Sequence, residues 1–271
     1  MVPDATWRFH TDRYDTPPEQ PAGWLAHTFP SALFYPKMVG IVLRSSRLAR
    51  LGRYDKFAWA RSSEAVIGCL EASGCRIHVE GLANLNPLDQ PCVFIGNHMS
   101  TLETFALPSI ILPRCGNFTF VVKRSLTEYP FFKHVMLSRN PVVVDRNNPR
   151  DDLKAVLEQG AERLAAGYSI VIFPQHTRTI AFDSGQFNSI GIKLAARTGV
   201  AVVPVALQTS AWSPGRHFKD YGPIIPSLPI HFAFGDPFLV AGKGNEEHQR
   251  VVSFIREHLH KWGNAPQQLV G

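Results

Sequence analysis

Short runs of apolar, often β-branched residues alternate with amphipathic segments over most of the chain. The runs read, in chain order, CRIHVEG, PCVFIGN, FTFVVKR, NPVVVDR, YSIVIFP, VAVVPVAL and, later, PIHFAFG. Between them lie LETFALPSIIL, PRDDLKAVLEQGAERLAAG and SIGIKLAARTG, whose apolar residues recur at helical spacing. Strands that alternate with helices predict an α/β fold, here a single domain with a mostly parallel central sheet flanked by helices.

Helices are also predicted before and after this alternating region. One runs from about Lys37 to Leu51, a second runs from about Asp55 to Ala72, and EEHQRVVSFIREHLHKW closes the chain. Residues 1–23 are polar and contain prolines, which favours a mobile or loosely docked arm. We therefore divide the chain into a polar arm (1–23), a helical extension (24–73) and an α/β domain (74–271).

The first predicted helix carries a repeating set of arginines. They recur every third residue and cover a broad arc of the helix surface: Arg44, Arg47, Arg50 and Arg53. Apolar residues such as Val39 and Leu43 lie beside them, a combination typical of a helix in the interface of an anionic membrane. The same pattern also fits the solvated face of a helix packed against the domain, and both interpretations stay open.

No membrane-spanning helix and no signal peptide are expected. The most apolar N-terminal stretch, WLAHTFPSALFYPKMVGIVL, is interrupted by His27, Pro30, Pro36 and Lys37, whereas a spanning helix needs about 20 nearly uninterrupted apolar residues. We expect peripheral attachment to the cytoplasmic side of a membrane, through residues 24–54.

Composition and charge limit the partners. Hydrophobic residues make up 45% of the chain and charged residues 18%, so a large core is expected. The formal net charge of +6 favours an anionic partner, such as a phospholipid surface, a phosphorylated substrate, coenzyme A or nucleic acid. No nucleic-acid-binding motif is present, so no nucleic acid is expected. The four cysteines form no C-x-x-C pair, and we expect no metal.

Polar side chains follow several predicted strands. These are Asn97 and His98 after PCVFIG, Lys123 after FTFVV, Arg146 after NPVVVD, and Gln175, His176, Thr177 and Arg178 after YSIVIFP. In an open α/β sheet the carboxyl ends of the strands form the edge where ligands bind. A histidine and several cations at this edge suit an anionic substrate whose hydroxyl group must lose a proton.

The segment NHMSTLE places a carboxylate, Glu103, five residues after His98. Either Glu103 orients His98 for proton transfer, or Ser100 and Glu103 form an S-x-x-E capping box at the start of the next helix. Residues five apart on a continuous helix point about 140° apart, so a contact between the two requires His98 to precede the helix. The capping pattern places His98 there, which makes the two interpretations partly compatible.

In order and spacing, these segments resemble the glycerolipid acyltransferase family, typified by 1-acyl-glycerol-3-phosphate acyltransferase. The family blocks N-H-x-x-x-x-D, D-R, F-P-E-G-T-R-S and V-P-V are matched by NHMSTLE, NPVVVDR, FPQHTRT and VAVVPVAL, and its lysine-containing segment by VVKRSLTEYPFF. The resemblance covers roughly residues 75–210. Glu103 stands where the family has aspartate, Gln175 where it has glutamate and His176 where it has glycine.

The resemblance implies transfer of a fatty acyl group from acyl-coenzyme A or acyl carrier protein to a hydroxyl of a lysophospholipid or related glycerolipid, without a bound cofactor. His98 is then the general base, Glu103 orients it, and Arg146 and Arg178 hold the acceptor phosphate with help from Lys123. Secondary candidates are Asn97, Gln175, His176 and Thr177. The alternative is a non-catalytic lipid-binding member of the same fold.

Overall fold

The computed structural model describes residues 6–18, 23–86, 88–130, 132–175, 177–215 and 220–263 of the 271-residue chain. The strands are β1 (Tyr14–Asp15), β2 (Ile77–Glu80), β3 (Val93–Gly96), β4 (Phe118–Lys123), β5 (Val142–Val144), β6 (Ser169–Ile172), β7 (Val202–Gln208) and β8 (Ile230–Phe234). The helices are α1 (Trp24–Thr28), α2 (Pro30–Arg50), α3 (Lys56–Ala72), α4 (Leu102–Cys115), α5 (Arg124–Glu128), α6 (Lys133–Leu137), α7 (Pro149–Ala165), α8 (Ile190–Thr198) and α9 (Asn245–Lys261). Each apolar run predicted to be a strand contains one.

The strands form one sheet in the order β1-β2-β8-β7-β3-β6-β4-β5. β1 is antiparallel to β2 and β7 is antiparallel to β8, whereas the other neighbouring strands run parallel. The prediction of an α/β domain with a mostly parallel sheet is therefore confirmed. β3 lies in the middle, between β7 and β6, and the polar segment that follows it is surrounded by other strand ends.

Helices cover both faces of the sheet, and each face has its own buried cluster. One cluster joins the sheet to α2, α3 and α4, and the other joins it to α7, α8 and α9. Successive side chains of β3 point to opposite faces, so Phe94 belongs to the first cluster and Val93 and Ile95 to the second. Because both faces are buried, the parallel strands are continuous apolar runs in the sequence.

The N-terminal segment expected to be a loose arm is packed against the domain in its described part, residues 6–18. Phe9 is fully buried, and β1 pairs with β2. The buried carboxylate of Glu71 on α3 accepts hydrogen bonds from Arg8, from the Tyr14 hydroxyl (2.6 Å) and from the Thr16 hydroxyl (2.7 Å). A buried charge requires partners of this kind, and the N-terminal segment supplies them. The expectation was wrong for these residues because polarity alone does not indicate mobility.

The helical extension differs from its prediction in where α2 begins. It was expected to start near Lys37, but it starts at Pro30, where a proline suits the first helical position. Pro36 lies inside the helix, and Phe34 and Met38 on either side of it are buried. Packing against the domain stabilises the helix where the isolated sequence indicated a break. The division at residue 74 stays a prediction, since α3 shares a buried cluster with α4.

Within the described ranges, none of the helices has the length and apolar character needed to span a bilayer.

Aromatic rings join β2 and β8 to the end of the last helix. His78 of β2 and His231 of β8 are register partners, and their rings stack with centroids 4.7 Å apart. The Trp262 ring stacks on His231 at 4.8 Å. Burial, and to a smaller extent the neighbouring charge of His78, lower the pKa of His231 to about 4. Protonation of His231 therefore opposes folding.

We expect His231→Gln to make stability less dependent on pH. The pKa of His231 is about 4 in the folded chain and about 6.5 when unfolded, so the unfolded chain binds more protons and stability falls from pH 6.5 to pH 4. For this half-buried ring we expect the wild type to lose about 1–2 kcal/mol more than the variant between pH 7.5 and 4.5. Urea unfolding at both pH values measures the difference. His27→Gln, at an exposed position, is the control. Equal losses in His231→Gln and wild type would contradict the prediction.

Candidate active site

The strands β7, β3, β6, β4 and β5 end at one edge of the sheet, as predicted from the sequence. Asn97, directly after β3, is buried, and its side chain is bonded to β7. Its Nδ2 donates to the Leu207 carbonyl (2.8 Å) and its Oδ1 accepts from the Leu207 amide (2.9 Å). Asn97 therefore joins the ends of β3 and β7 and fixes the position of the backbone that leads to His98.

The Glu103 carboxylate is fully buried and both of its oxygens are bonded. Oε2 pairs with His98 Nδ1. Oε1 accepts from the backbone amides of Met99 (2.8 Å) and Ser100 (3.0 Å) and from the Thr209 hydroxyl (2.5 Å). These donors compensate for the loss of water around a buried charge.

Both arrangements left open by the NHMSTLE segment are present. Ser100 Oγ accepts from the Leu102 amide (3.1 Å) and Glu103 accepts from the Ser100 amide, so the start of α4 is capped from both directions. His98 precedes the helix, which lets its ring meet the other oxygen of the same carboxylate. The cap and the histidine contact use different oxygens and do not compete.

The His98 ring is held on two sides. When Nδ1 donates its proton to Glu103, the other ring nitrogen, Nε2, keeps a free lone pair. The ring stacks on Phe173, which directly follows β6, with centroids 4.5 Å apart and planes 5° apart. The ring therefore has a defined orientation, with a nitrogen available to accept a proton.

The residues of the FPQHTRT segment differ in their exposure and contacts. Gln175 is buried, accepts from the His98 amide (2.7 Å) and donates to the Thr179 hydroxyl (2.7 Å). The Thr179 amide in turn donates to the His98 carbonyl (3.0 Å). This segment therefore forms hydrogen bonds with both the amide and the carbonyl of His98. Thr177 is exposed. His176 lies outside the described residues.

Arg178 and His98 line the same cavity, of about 120 Å³. The Arg178 guanidinium donates to the Thr101 hydroxyl and forms an ion pair with Asp220. The rest of the cavity wall is mainly apolar and comes from several elements: Met38, Val42, Phe105, Phe120, Val122, Leu126, Phe132, Met136 and Trp212. A charged end and an apolar interior meet beside His98.

Arg146 lines a neighbouring cavity of about 360 Å³, and Phe173 and Gln175 form part of its wall. The backbone of Arg146 is left-handed (φ 61°), which costs about 1–2 kcal/mol for a residue other than glycine. Asp152 Oδ1 stabilises this turn by accepting from the amides of Asp145 (3.0 Å) and Arg146 (3.1 Å).

Charge links Arg146 to the His98 cavity. Although the residue is exposed, the neighbouring protein atoms partly desolvate its guanidinium and hold the pKa of Arg146 below its ordinary value. The Asp152 carboxylate opposes this shift, and the positive charge of Arg178 adds to it. The charge of Arg178 thus acts on Arg146, which lines the neighbouring cavity.

The structure does not bring Lys123 into either of these two cavities. It is the last residue of β4, exposed, and the residue before α5. Its neighbour Arg124 pairs with Asp145 at the surface. Within the described ranges, no group of three histidine, cysteine or acidic side chains is placed to hold a metal ion.

Sequence reasoning missed four residues that complete this site: Thr101, Phe173, Thr209 and Asp220. Thr209 follows β7 directly, so the rule that selected polar residues after strands would have found it had it been applied to that strand. Asp220 lies in a segment rich in proline and glycine, and no pattern there indicates a contact with Arg178.

Comparison with known proteins gives concordant matches. A model of the Acyltransferase family matches residues 76–208. The 1-acyl-sn-glycerol-3-phosphate acyltransferase of Pseudomonas aeruginosa is 34% identical over 190 residues, covering 70% of this chain and 68% of that protein. The enzyme of the same name from Chlamydomonas reinhardtii is 30% identical over 198 residues, covering 72% of this chain and 56% of that protein.

A solved structure has the same fold. The crystal structure of the 1-acyl-sn-glycerophosphate acyltransferase of Thermotoga maritima superposes with a TM-score of 0.61 and 20% identity, covering 90% of this chain and 94% of that one. At this identity the likeness concerns the fold alone, whereas the Pseudomonas match extends over two thirds of both sequences. The chain belongs to the glycerolipid acyltransferase family.

Proposed function

We propose that this chain transfers a fatty acyl group from an acyl thioester, acyl-coenzyme A or acyl carrier protein, to a hydroxyl of a lysophospholipid or related glycerolipid. The observation that carries the proposal is the His98–Glu103 pair beside a cavity with one charged end and apolar walls. The names of the Pseudomonas and Chlamydomonas relatives favour 1-acyl-glycerol 3-phosphate as the acceptor.

In the proposed reaction, His98 Nε2 takes the proton of the acceptor hydroxyl while that oxygen attacks the thioester carbonyl carbon. The carbon–sulfur bond then breaks, and the imidazolium returns its proton to the departing thiolate. Glu103 fixes the Nδ1–H tautomer and stabilises the imidazolium that forms between these steps. The acyl group passes directly from sulfur to oxygen, without an acyl-enzyme.

The two arginines suit a phosphate-bearing acceptor. Arg178 lies in the same cavity as His98, and Arg146 lines the neighbouring cavity. The guanidinium fork of an arginine matches the oxygens of a phosphate. Lys123, which is exposed and outside this cavity, is placed to attract an anionic acyl donor or acceptor from solution. Transfer of this kind needs no metal and no bound cofactor.

We also propose that the chain attaches peripherally to the cytoplasmic side of an anionic membrane, through its helical extension. Large apolar side chains are exposed along α1, α2 and the turn after them: Trp24, Leu25, Phe29, Val39, Leu43 and Leu51. The four arginines of this region are exposed as well: Arg44, Arg47, Arg50 and Arg53. Exposed apolar side chains interspersed with arginines are the combination that binds the bilayer interface. Met38 and Val42 of the same helix line the His98 cavity, so a lipid acceptor would have a short path to it.

We expect His98→Ala to lower acyl transfer by about 10²–10⁴-fold, because the hydroxyl then lacks its base. Glu103→Gln should cost about 10²-fold or more, since the amide still caps α4 but no longer favours the Nδ1–H tautomer. Thr209→Val is the matched control, because it removes a bond to Oε1 and leaves Oε2 on His98. It should lower stability by about 1 kcal/mol and activity by less than tenfold.

The assay is thiol release from palmitoyl-coenzyme A with and without a panel of lysolipids, repeated with acyl carrier protein donors. Acceptor-dependent release that persists in His98→Ala would exclude His98 as the base. Absence of release with both donors, in a protein that still binds lipid, would instead establish a non-catalytic lipid-binding member of the family.

We expect the triple change Arg44→Gln, Arg47→Gln and Arg50→Gln to weaken binding to anionic vesicles by roughly 100-fold at low salt, at about 1 kcal/mol per arginine. Sedimentation with vesicles containing phosphatidylglycerol measures this, and added salt should reduce the difference. The control changes exposed cations elsewhere, on α7, on α8 and before α9, to glutamine: Lys154, Arg197 and Lys243. Equal losses in the two triple variants would show that net charge, rather than α2, determines binding.

A further inference from the structure

Among the described residues that line the His98 cavity, Asp220 is the one carboxylate. Its Oδ1 accepts from a guanidinium nitrogen of Arg178 and lies 3.3 Å from the Thr101 hydroxyl. Thr101 also accepts from the second terminal nitrogen of Arg178. Each terminal nitrogen of the cation therefore has one acceptor within the protein, and Asp220 neutralises the charge at the cavity wall.

The segment that follows Asp220 is anchored to α2 and packed against the residues after β7. The Tyr35 hydroxyl of α2 donates to the Gly222 carbonyl, and the Ile224 amide donates to Ser31 Oγ at the start of the same helix (3.0 Å). A Cβ on Gly222 would lie 1.9 Å from the Ser213 carbonyl oxygen, so this backbone passes directly against the segment after β7. Asp220 is held at the cavity by this packing.

A phosphate that pairs with the charge of Arg178 competes with Asp220, which is the anionic partner of this guanidinium in the protein. A phosphate monoester carries up to two negative charges and three terminal oxygens, whereas a carboxylate has one charge and two oxygens. The phosphate is therefore the stronger ligand, but its net affinity is reduced by the interaction that it displaces. An uncharged acceptor leaves the ion pair intact and experiences no such reduction.

We propose that Asp220 competes with the acceptor phosphate for Arg178 and so sets the affinity of the site for anionic acceptors. This rests on the proposed function in one respect, the binding of the acceptor phosphate by Arg178. Asp220 is a specificity-determining residue rather than a catalytic one. Its removal should change the KM for anionic acceptors and leave kcat unaltered.

The test compares Asp220→Asn with Asp220→Glu, which keeps the charge, and with Asp220→Ser as a second neutral variant. Asp15→Asn is the control, because Asp15 lies on the edge strand β1, where its partners are Arg13 and His78 rather than residues of the His98 cavity. Calorimetric titration with a short-chain 1-acyl-glycerol 3-phosphate, and with the uncharged monoacylglycerol of the same chain, gives both affinities for each protein.

We expect Asp220→Asn and Asp220→Ser to bind the phosphate-bearing lipid about 3–10-fold more tightly, with a matching fall in KM. Asp220→Glu and Asp15→Asn should stay within twofold of the wild type, and monoacylglycerol affinity should not change. In an Arg178→Gln background, Asp220→Asn should have no effect, because the guanidinium for which Asp220 and the phosphate compete is then absent.

Unchanged or weaker phosphate binding in folded neutral variants would overturn the proposal and make Asp220 a residue that positions Arg178. Circular dichroism establishes folding before the titrations. Because binding is measured without turnover, the two proposals fail separately. If the neutral variants gain affinity but the protein shows no acyl transfer, the role of Asp220 is supported and the proposed function is not. If the protein transfers acyl groups but the variants gain no affinity, the proposed function is supported and the role of Asp220 is not.

Discussion

The buried carboxylate of Glu103 is the interaction on which the rest of the site depends. A charge removed from water costs several kcal/mol unless it is fully paired, and this one is paired by an imidazole, two backbone amides and a hydroxyl. Those donors come from the turn after β3 and from the residue after β7, Thr209. The same carboxylate therefore determines three features together: the cap of α4, the spacing of the ends of β3 and β7, and the orientation of His98.

Two side-chain amides extend this rigidity around the histidine. Asn97 joins the end of β3 to β7, and Gln175 joins the His98 amide to Thr179. A glutamate at position 175, as in the family pattern, could accept the same two bonds, because a hydroxyl donates as readily as it accepts. The framework around His98 thus tolerates the departure from the family sequence. The charge that this departure removes would have lain in the wall of the cavity that Arg146 lines.

The helix α2 connects an exposed, arginine-bearing surface to the ion pair of Arg178 and Asp220. Its exposed side carries arginines and large apolar residues, while Met38 and Val42 on its inner side form cavity wall. The same helix holds the segment bearing Asp220 through Ser31 and the Tyr35 hydroxyl. One element therefore contributes to the proposed membrane contact, to the apolar cavity and to the position of the carboxylate beside Arg178.

The sequence by itself determined the elements and the edge of the sheet where the polar residues lie, because both follow from local periodicity and from the common direction of parallel strands. It also predicted both roles of Glu103, as part of the cap of α4 and as the partner of His98. Only the tertiary structure decided which of the edge residues meet. The strand order places the residues after β6 and β7 beside His98, moves Arg146 into a second cavity and leaves Lys123 outside both. Strand order and the contact of Asp220 with Arg178 are set by long-range packing, for which neither the periodicity nor the spacing of the chain carries a signal.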